Sequence, residues 1–134
     1  MRLKALHVTV GIATLIAFAL TGQYMHWVLG HLRDMPDTPR LLYRSAHIYL
    51  LFAGLCNLAL GLNPPDLAGT RARFAQGIGS ALLVASPVLF AISFFVESPA
   101  SGIERTVLRL GIYASFGGVL LHAAAAWWTR DRKL

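Results

Sequence analysis

Five histidines are the side chains with the most chemistry to offer in this chain of 134 residues. Neutral imidazole is a common metal ligand, and it gains or loses a proton near neutral pH. His7, His26, His47 and His122 lie within or at the ends of apolar segments, whereas His31 lies between two such segments. An ionisable side chain in an apolar segment is costly in a membrane and indicates a functional site by default.

Four apolar segments position these histidines, at residues 6–29, 43–62, 75–96 and 106–128. Each is long enough to cross a hydrocarbon core of ~30 Å at ~1.5 Å per residue. With 56% hydrophobic and 13% charged residues, the chain has too little polar surface for a soluble globule of this size. We therefore predict an all-α polytopic membrane protein in which residues 1–134 form one domain embedded in the lipid bilayer.

The connections between the segments are short and carry Pro or Gly breakers, at 34–39, 63–66 and 98–102. Such connections favour antiparallel neighbours and predict an up-down-up-down bundle of four transmembrane helices. Pro87 lies in the third segment and predicts a kink there. Small residues at helical spacing predict helix faces that pack together: Gly54 and Gly61; Gly77, Ala81 and Ala85; Gly111, Ser115 and Gly118.

The distribution of Lys and Arg predicts the orientation in the membrane. One face carries Arg2, Lys4, Arg71, Arg73, Arg130, Arg132 and Lys133, and the other carries Arg33, Arg40, Arg44, Arg105 and Arg109. The acidic residues Asp34, Asp37, Glu97 and Glu104 lie on the second face. We therefore expect a bacterial inner membrane protein with both termini in the cytoplasm. This topology also explains the net charge of +6 without a nucleic-acid partner.

Depth in the membrane sorts four of the histidines into two pairs. His26 and His47 share the periplasmic side, and His7 and His122 share the cytoplasmic side. The 19 residues from His7 to His26 correspond to about five turns plus ~100°, so the two rings leave the first helix in different directions. Because we expect that helix to contact both the second and the fourth, each of its histidines can face one partner.

Paired histidines on facing membrane helices are the usual axial ligands of b-type haem. Two pairs on opposite sides would allow electron transfer across the membrane. The 19 residues from His7 to His26 span ~28 Å of helix, so two haems would both lie near the membrane–water interfaces. A single haem that bridges one histidine pair therefore fits the sequence at least as well as two haems. A quinone or a membrane redox protein is the expected partner, with Gln23 and Tyr24 as candidate quinone contacts beside His26.

A resemblance to known families supports this interpretation. The opening Leu3-Lys4-Ala5-Leu6-His7, followed by a glycine and a long apolar run, resembles the start of membrane-type protoporphyrinogen oxidase and of copper-resistance D-like proteins. The resemblance implies a four-helix haem-binding membrane protein and points to His7 as a haem ligand. The chain lacks the Pro-Arg pair that ends the oxidase's first helix, so the oxidase activity is not carried over. Residues 21–26 and 44–49 resemble uncharacterised bacterial membrane proteins, which implies no function.

Two other classes of function remain open. His26, His31 and His47, with Met25 and neighbouring acids, would suit copper or zinc on the periplasmic side. Alternatively, the chain is a non-catalytic subunit or scaffold, joined to an oligomer or larger complex through small-residue helix faces. The sequence carries no G-x-S-x-G, H-E-x-x-H or phosphate-loop motif, and it leaves enzymatic turnover undecided.

Overall fold

Four long α-helices form the described part of the chain, which a computed structural model covers at residues 2–64, 67, 69–99 and 102–130. The helices are α1 (Arg2–Trp27), α2 (Asp37–Leu62), α3 (Thr70–Val96) and α4 (Thr106–Arg130), and a 3₁₀ helix at Gly30–Leu32 follows α1. Several residues used in the sequence predictions lie outside the described residues: Pro65, Asp66, Ala100, Ser101, Arg132 and Lys133.

All four helices are long and apolar enough to cross a membrane. Large apolar side chains cover their outer faces, for example Ile16 and Leu20 on α1 and Tyr113 and Leu120 on α4. In water such a surface would be unfavourable, whereas lipid solvates it. The predicted fold class is confirmed, and the protein is a small integral membrane protein built as an all-α four-helix bundle.

Besides α1, which begins at Arg2 instead of residue 6, two helices begin earlier than the apolar pattern predicted. α2 begins at Asp37 instead of residue 43, and α3 begins at Thr70 instead of residue 75. Pro39 is tolerated because it lies in the first turn of α2, where a missing N–H costs no helical hydrogen bond. Asp37 favours the same start through its charge at the helix N-terminus. The predicted bounds followed hydrophobicity, but helical backbone extends beyond the hydrocarbon core.

The helices pack as two tight pairs, α1 against α2 and α3 against α4, and α2 joins the pairs by packing on α3. Glycines permit the close approach. A Cβ on Gly11 of α1 would lie 2.8 Å from the Leu58 nitrogen of α2, and one on Gly118 of α4 would lie 2.8 Å from the Gly79 oxygen of α3. The backbones of α1 and α4 scarcely approach each other, so the expected direct packing of α1 on α4 is wrong.

One predicted packing face is also wrong. Gly77, Ala81 and Ala85 of α3 are exposed, and nothing lies within 4 Å of a Cβ placed on Gly77. α3 instead packs on α4 through Gly79 and Leu83. The two faces differ by two residues, or ~200° around the helix. The small residues predicted on α2 and α4 do lie in helix contacts.

The bundle has two ends with different side chains. We call the end that holds the N-terminus of α1 and the C-terminus of α4 the terminal end, and the end that holds the α1–α2 and α3–α4 connections the loop end. Near the loop end, the Phe94 ring packs against the rings of Tyr24 and Tyr43, with centroids 6.1 and 5.1 Å away. An aromatic core therefore fills this end between α1, α2 and α3.

A buried arginine ties three helices together at the loop end. The guanidinium of Arg105 donates hydrogen bonds to the hydroxyls of Ser45 on α2 and Ser93 on α3. Glu97, at the end of α3, accepts hydrogen bonds from the first amides of α4, those of Val107 (2.7 Å) and Leu108 (3.0 Å). A carboxylate at a helix N-terminus satisfies amides that have no helical partner and complements the helix dipole. These contacts fix where α4 begins.

Pro87 removes the helical hydrogen bond of one backbone carbonyl in the middle of α3. Because proline has no N–H, the Leu83 carbonyl lacks the hydrogen bond that residue 87 would ordinarily donate. The Asn57 amide of α2 donates to this carbonyl over 2.9 Å, and the Ser86 hydroxyl donates to it over 3.1 Å. An unpaired carbonyl is costly in a membrane interior, so Asn57 and Pro87 together link α2 to α3.

Candidate functional site

His47 projects from α2 onto α1 and is held there by two contacts. Its ring stacks on the Phe18 ring, with centroids 4.1 Å apart and an interplanar angle of 18°. Its Nδ1 lies 2.9 Å from the Thr21 hydroxyl oxygen. These two residues of α1 are three apart and so share one face of the helix. Packing and hydrogen bonding therefore fix both the position and the rotation of the ring.

The partners of Thr21 determine the His47 tautomer. The single hydroxyl hydrogen of Thr21 points to the carbonyls of Ala17 (2.9 Å) and Phe18 (3.0 Å) of its own helix. The hydroxyl oxygen is therefore an acceptor, and it takes the hydrogen of His47 Nδ1. With Nδ1 protonated, neutral His47 carries a free lone pair on Nε2. A hydrogen bond of this kind on the far nitrogen is what orients histidines that bind metals.

An open cavity of about 310 Å³ lies beside this ring at the loop end. His26, His31, Arg44 and His47 contribute to its lining, together with Gly22. A Cβ on Gly22 would lie 3.6 Å from His47 Nε2, so the glycine keeps the approach to that nitrogen open. His26 lies one helical turn beyond Gly22 and on the same face. The predicted pair of His26 and His47 therefore does share one site.

His31 lies against His26 in a strained segment of backbone. The two imidazole rings are perpendicular, with centroids 3.9 Å apart. His31 and Leu32 both have φ near 60°, which is rare for residues other than glycine, and the burial of Leu32 in the core holds this conformation. The electrostatic influence of His26 lowers the pKa of His31 below 6.5, with smaller contributions from burial and from Arg33.

The described residues do not form a three-ligand metal site. Within residues 2–64, 67, 69–99 and 102–130, no group of three or more His, Cys, Asp or Glu side chains is arranged to hold a metal ion. His26, His31 and His47 share the cavity lining without that arrangement. The cavity lining therefore offers three imidazoles and one arginine.

A second polar cluster lies near the terminal end and joins all four helices. His7 of α1 makes hydrogen bonds through Nδ1 to the Asn57 side-chain oxygen of α2 (2.7 Å) and through Nε2 to the Ser80 hydroxyl of α3 (2.9 Å). The same hydroxyl lies 3.2 Å from Nε2 of His122 on α4. All four side chains are buried. We refer to these residues as the terminal network.

Hydrogen-bond donors and acceptors alternate through the terminal network. The Asn57 amide nitrogen donates to the Ala53 and Leu83 carbonyls, so its oxygen accepts the hydrogen of His7 Nδ1. Neutral His7 then has a lone pair on Nε2, to which Ser80 donates. The Ser80 oxygen in turn accepts from His122 Nε2, and this leaves the buried Nδ1 of His122 as an acceptor without a partner.

The predicted pairing of His7 with His122 is thus found in space, but with a hydroxyl between the rings. Their centroids are 5.9 Å apart at 75°, and Ser80 occupies the point where their Nε2 atoms converge. A porphyrin would have to displace Ser80 and break the hydrogen bonds that satisfy His7. The terminal network therefore does not fit a haem in this arrangement.

Sequence reasoning missed Thr21 and Ser80, which determine the state of the histidines. Thr21 is seven residues from Thr14, which is itself seven residues from His7, and all three are buried. This heptad spacing of polar residues was a signal that α1 turns a polar stripe inward. Ser80 has no such signal because serine is common on every face of a membrane helix.

Comparison with protein-family models, curated proteins and solved structures finds no match to this chain.

Proposed function

We propose that the protein is a b-type haem electron-transfer protein, with one haem held between His26 and His47 at the loop end. The observation that carries the proposal is the Thr21 hydrogen bond, which leaves a lone pair on His47 Nε2 beside an open cavity. Bound haem supplies an iron centre that accepts and releases one electron. Iron in such a group needs only two axial ligands from the protein.

Three residues suit a porphyrin in this cavity. Gly22 leaves room for a flat group to approach the His47 ring. Arg44 lines the cavity and would pair with a carboxylate substituent of the macrocycle. His26 is exposed near the end of α1 and lines the same cavity, so it would be the second histidine to hold the group. The volume of about 310 Å³ is at the small end for ligand sites, and the open side leaves the edge of the macrocycle exposed.

The proposed orientation puts both termini in the cytoplasm of a bacterial cell, as the distribution of Lys and Arg favours. The haem would then lie near the periplasmic surface, where a quinone or a membrane redox protein exchanges electrons with it. Tyr24 packs near Phe94 and Phe95, while Gln23 is exposed and is the better placed of the two to contact a quinone.

A second candidate is a non-catalytic subunit of a membrane complex. The exposed stripe of Gly77, Ala81 and Ala85 on α3 favours it, because small residues at this spacing allow another helix to approach closely. This candidate predicts a stable partner that co-purifies with the protein and no chromophore.

The test is a dithionite-reduced minus oxidised absorption spectrum of protein purified in detergent after expression with ample haem. We expect sharp α and Soret bands in the wild type and in His122→Ala, and their loss in His47→Ala. Thr21→Val removes the acceptor for His47 Nδ1 and should weaken haem binding about 10-fold or more. Thr14→Val is the matched control, because its hydroxyl bonds only the Val10 carbonyl of its own helix.

Two results would contradict the proposal. A wild-type spectrum without these bands would refute haem binding and favour the role as a subunit of a membrane complex. Bands that survive in His47→Ala and disappear in His122→Ala would move the haem to the terminal network.

A further inference from the structure

Within the described part of the chain, the terminal network has one polar atom without a hydrogen-bond partner, Nδ1 of His122. His122 is 6% exposed, and its Nδ1 has no hydrogen-bond partner among the described residues. A buried acceptor without a donor is unfavourable. Every other polar side-chain atom of the network is paired. The network is therefore complete except for one hydrogen at His122 Nδ1.

We propose that His122, Ser80 and His7 form a proton relay that takes up one proton at His122 Nδ1 and stores it on His7. The inference goes beyond the proposed haem function, since it uses none of the residues of the loop-end cavity and does not need a haem.

The relay follows from the direction of the hydrogen bonds. A proton binds to the lone pair of His122 Nδ1, and His122 Nε2 releases its hydrogen to the Ser80 oxygen. Ser80 passes its original hydroxyl hydrogen to the lone pair of His7 Nε2. One N–H bond forms at each histidine, one breaks at His122, and the hydroxyl is restored. His122 ends as the neutral Nδ1–H tautomer and His7 ends as the imidazolium.

Asn57 makes His7 the better place for the charge. Its side-chain oxygen lies 2.7 Å from His7 Nδ1 and accepts that hydrogen in both states, so a charged His7 donates to Asn57 and to Ser80. A hydrogen bond to a charged donor is stronger than one between neutral groups. A charged His122 would have only Ser80 as an acceptor, because Nδ1 has no partner.

The histidines are the groups of the terminal network that can bind a proton, and the other titratable side chains nearby do not take part in its hydrogen bonds. The other titratable residues nearest to it along each packed helix, among those whose side chains the structure describes, are Lys4, Cys56, Arg73 and Tyr113. None of these makes a hydrogen bond to the terminal network. Lys4 and Arg73 are exposed.

The experiment is a pH titration of protein labelled with ¹⁵N-histidine in lipid nanodiscs, followed through the ring nitrogens by NMR. His7→Gln and His122→Gln assign the two signals. At high pH we expect the Nδ1–H tautomer for His7 and the Nε2–H tautomer for His122. On acidification we expect one shared step, in which His7 gains the proton and His122 changes tautomer.

Ser80→Ala tests the coupling because it removes the hydroxyl that joins the rings. In this variant the His122 signal should no longer change together with that of His7. Ser86→Ala is the matched control, since Ser86 is equally buried on α3 but bonds only the Leu83 carbonyl of its own helix. It should preserve the shared step.

Four results would overturn the relay. These are a wild-type network that does not titrate, separate steps in which each histidine takes its own proton, the opposite tautomers at high pH, or an unchanged shared step in Ser80→Ala. The wild-type titration decides the first three even if the Ser80 variant fails to fold.

Discussion

Replacing Asn57 by Leu should destabilise the bundle, because Asn57 makes two hydrogen bonds to other helices. One joins its oxygen to His7 of α1, and the other joins its amide to the Leu83 carbonyl of α3. Its third bond, to Ala53, stays within α2. Leu branches at Cγ as Asn does and is somewhat larger, so the change removes the polar contacts without opening a cavity.

The size of the effect follows from the number of bonds between helices. In membrane proteins such a bond contributes about 0.6 kcal/mol on average and up to ~1.7 kcal/mol. Two bonds therefore give an expected loss of about 1–3 kcal/mol in the free energy of unfolding. The loss should lie toward the upper end because His7 Nδ1 and the Leu83 carbonyl stay buried after the change.

The assay is reversible unfolding in mixed micelles of a mild detergent and dodecyl sulfate. Ser115→Ala is the control, because its buried hydroxyl bonds only the Gly111 carbonyl of its own helix. A double-mutant cycle with Pro87→Ala sharpens the test, since an N–H at residue 87 can donate to the Leu83 carbonyl again. Asn57→Leu should cost less in that background. An Asn57 variant as stable as Ser115→Ala would refute the reasoning.

Two further predictions concern helix contacts. Gly118→Ala should lower the free energy of unfolding by about 1–3 kcal/mol through overpacking, because its Cβ would lie 2.8 Å from the Gly79 oxygen; Gly77→Ala, with open space around its Cβ, should be nearly neutral in the same assay. The pKa of Glu97 is lowered below 4.5. Burial alone would raise this pKa and is the largest single influence, but it is outweighed by the hydrogen bonds from Ser93 and from the first amides of α4, together with the charge of Arg105. Glu97 therefore binds a proton more tightly in the unfolded chain than in the folded one. The stability that ionised Glu97 contributes is present above about pH 4.5 and is lost as pH falls through the lowered pKa. Glu97→Gln should lower the free energy of unfolding by about 1 kcal/mol at pH 7 and should make that free energy fall less steeply at acid pH. An equally steep fall in the variant would contradict this prediction.

Much of the fold was predictable because the bilayer constrains membrane helices so strongly. A backbone in lipid must satisfy its own hydrogen bonds, so long apolar runs become helices and short connections make them antiparallel. The beginnings of α2 and α3 were predicted too late because hydropathy reports the hydrocarbon boundary, which is not where a helix must end. The α3 face was predicted wrongly because Gly77, Ala81 and Ala85 match the spacing of a packing face as well as the true face does.

The candidate sites were predictable only to the level of which histidines meet. Depth in the membrane was enough to place His7 near His122 and to put His26 and His47 on one cavity. It could not reveal that a hydroxyl lies between the first pair, because the position of Ser80 depends on the rotation of α3 against α1. That rotation is set by close contacts such as the one between Gly79 of α3 and the residues of α4. Hydrophobic periodicity does not encode these contacts.

The neighbours of each histidine account for the difference between the two sites. At the loop end, Thr21 occupies only Nδ1 of His47 and leaves the other nitrogen free beside a cavity, so the ring is available to an incoming ligand. At the terminal end, Asn57 and Ser80 occupy both nitrogens of His7, so the ring can only exchange hydrogens within the network. Under the two proposals, the same type of side chain would bind a cofactor at one end and a proton at the other. Exchanging Thr21 for an apolar residue should therefore affect cofactor binding without altering the titration of His7, and removing Ser80 should do the reverse.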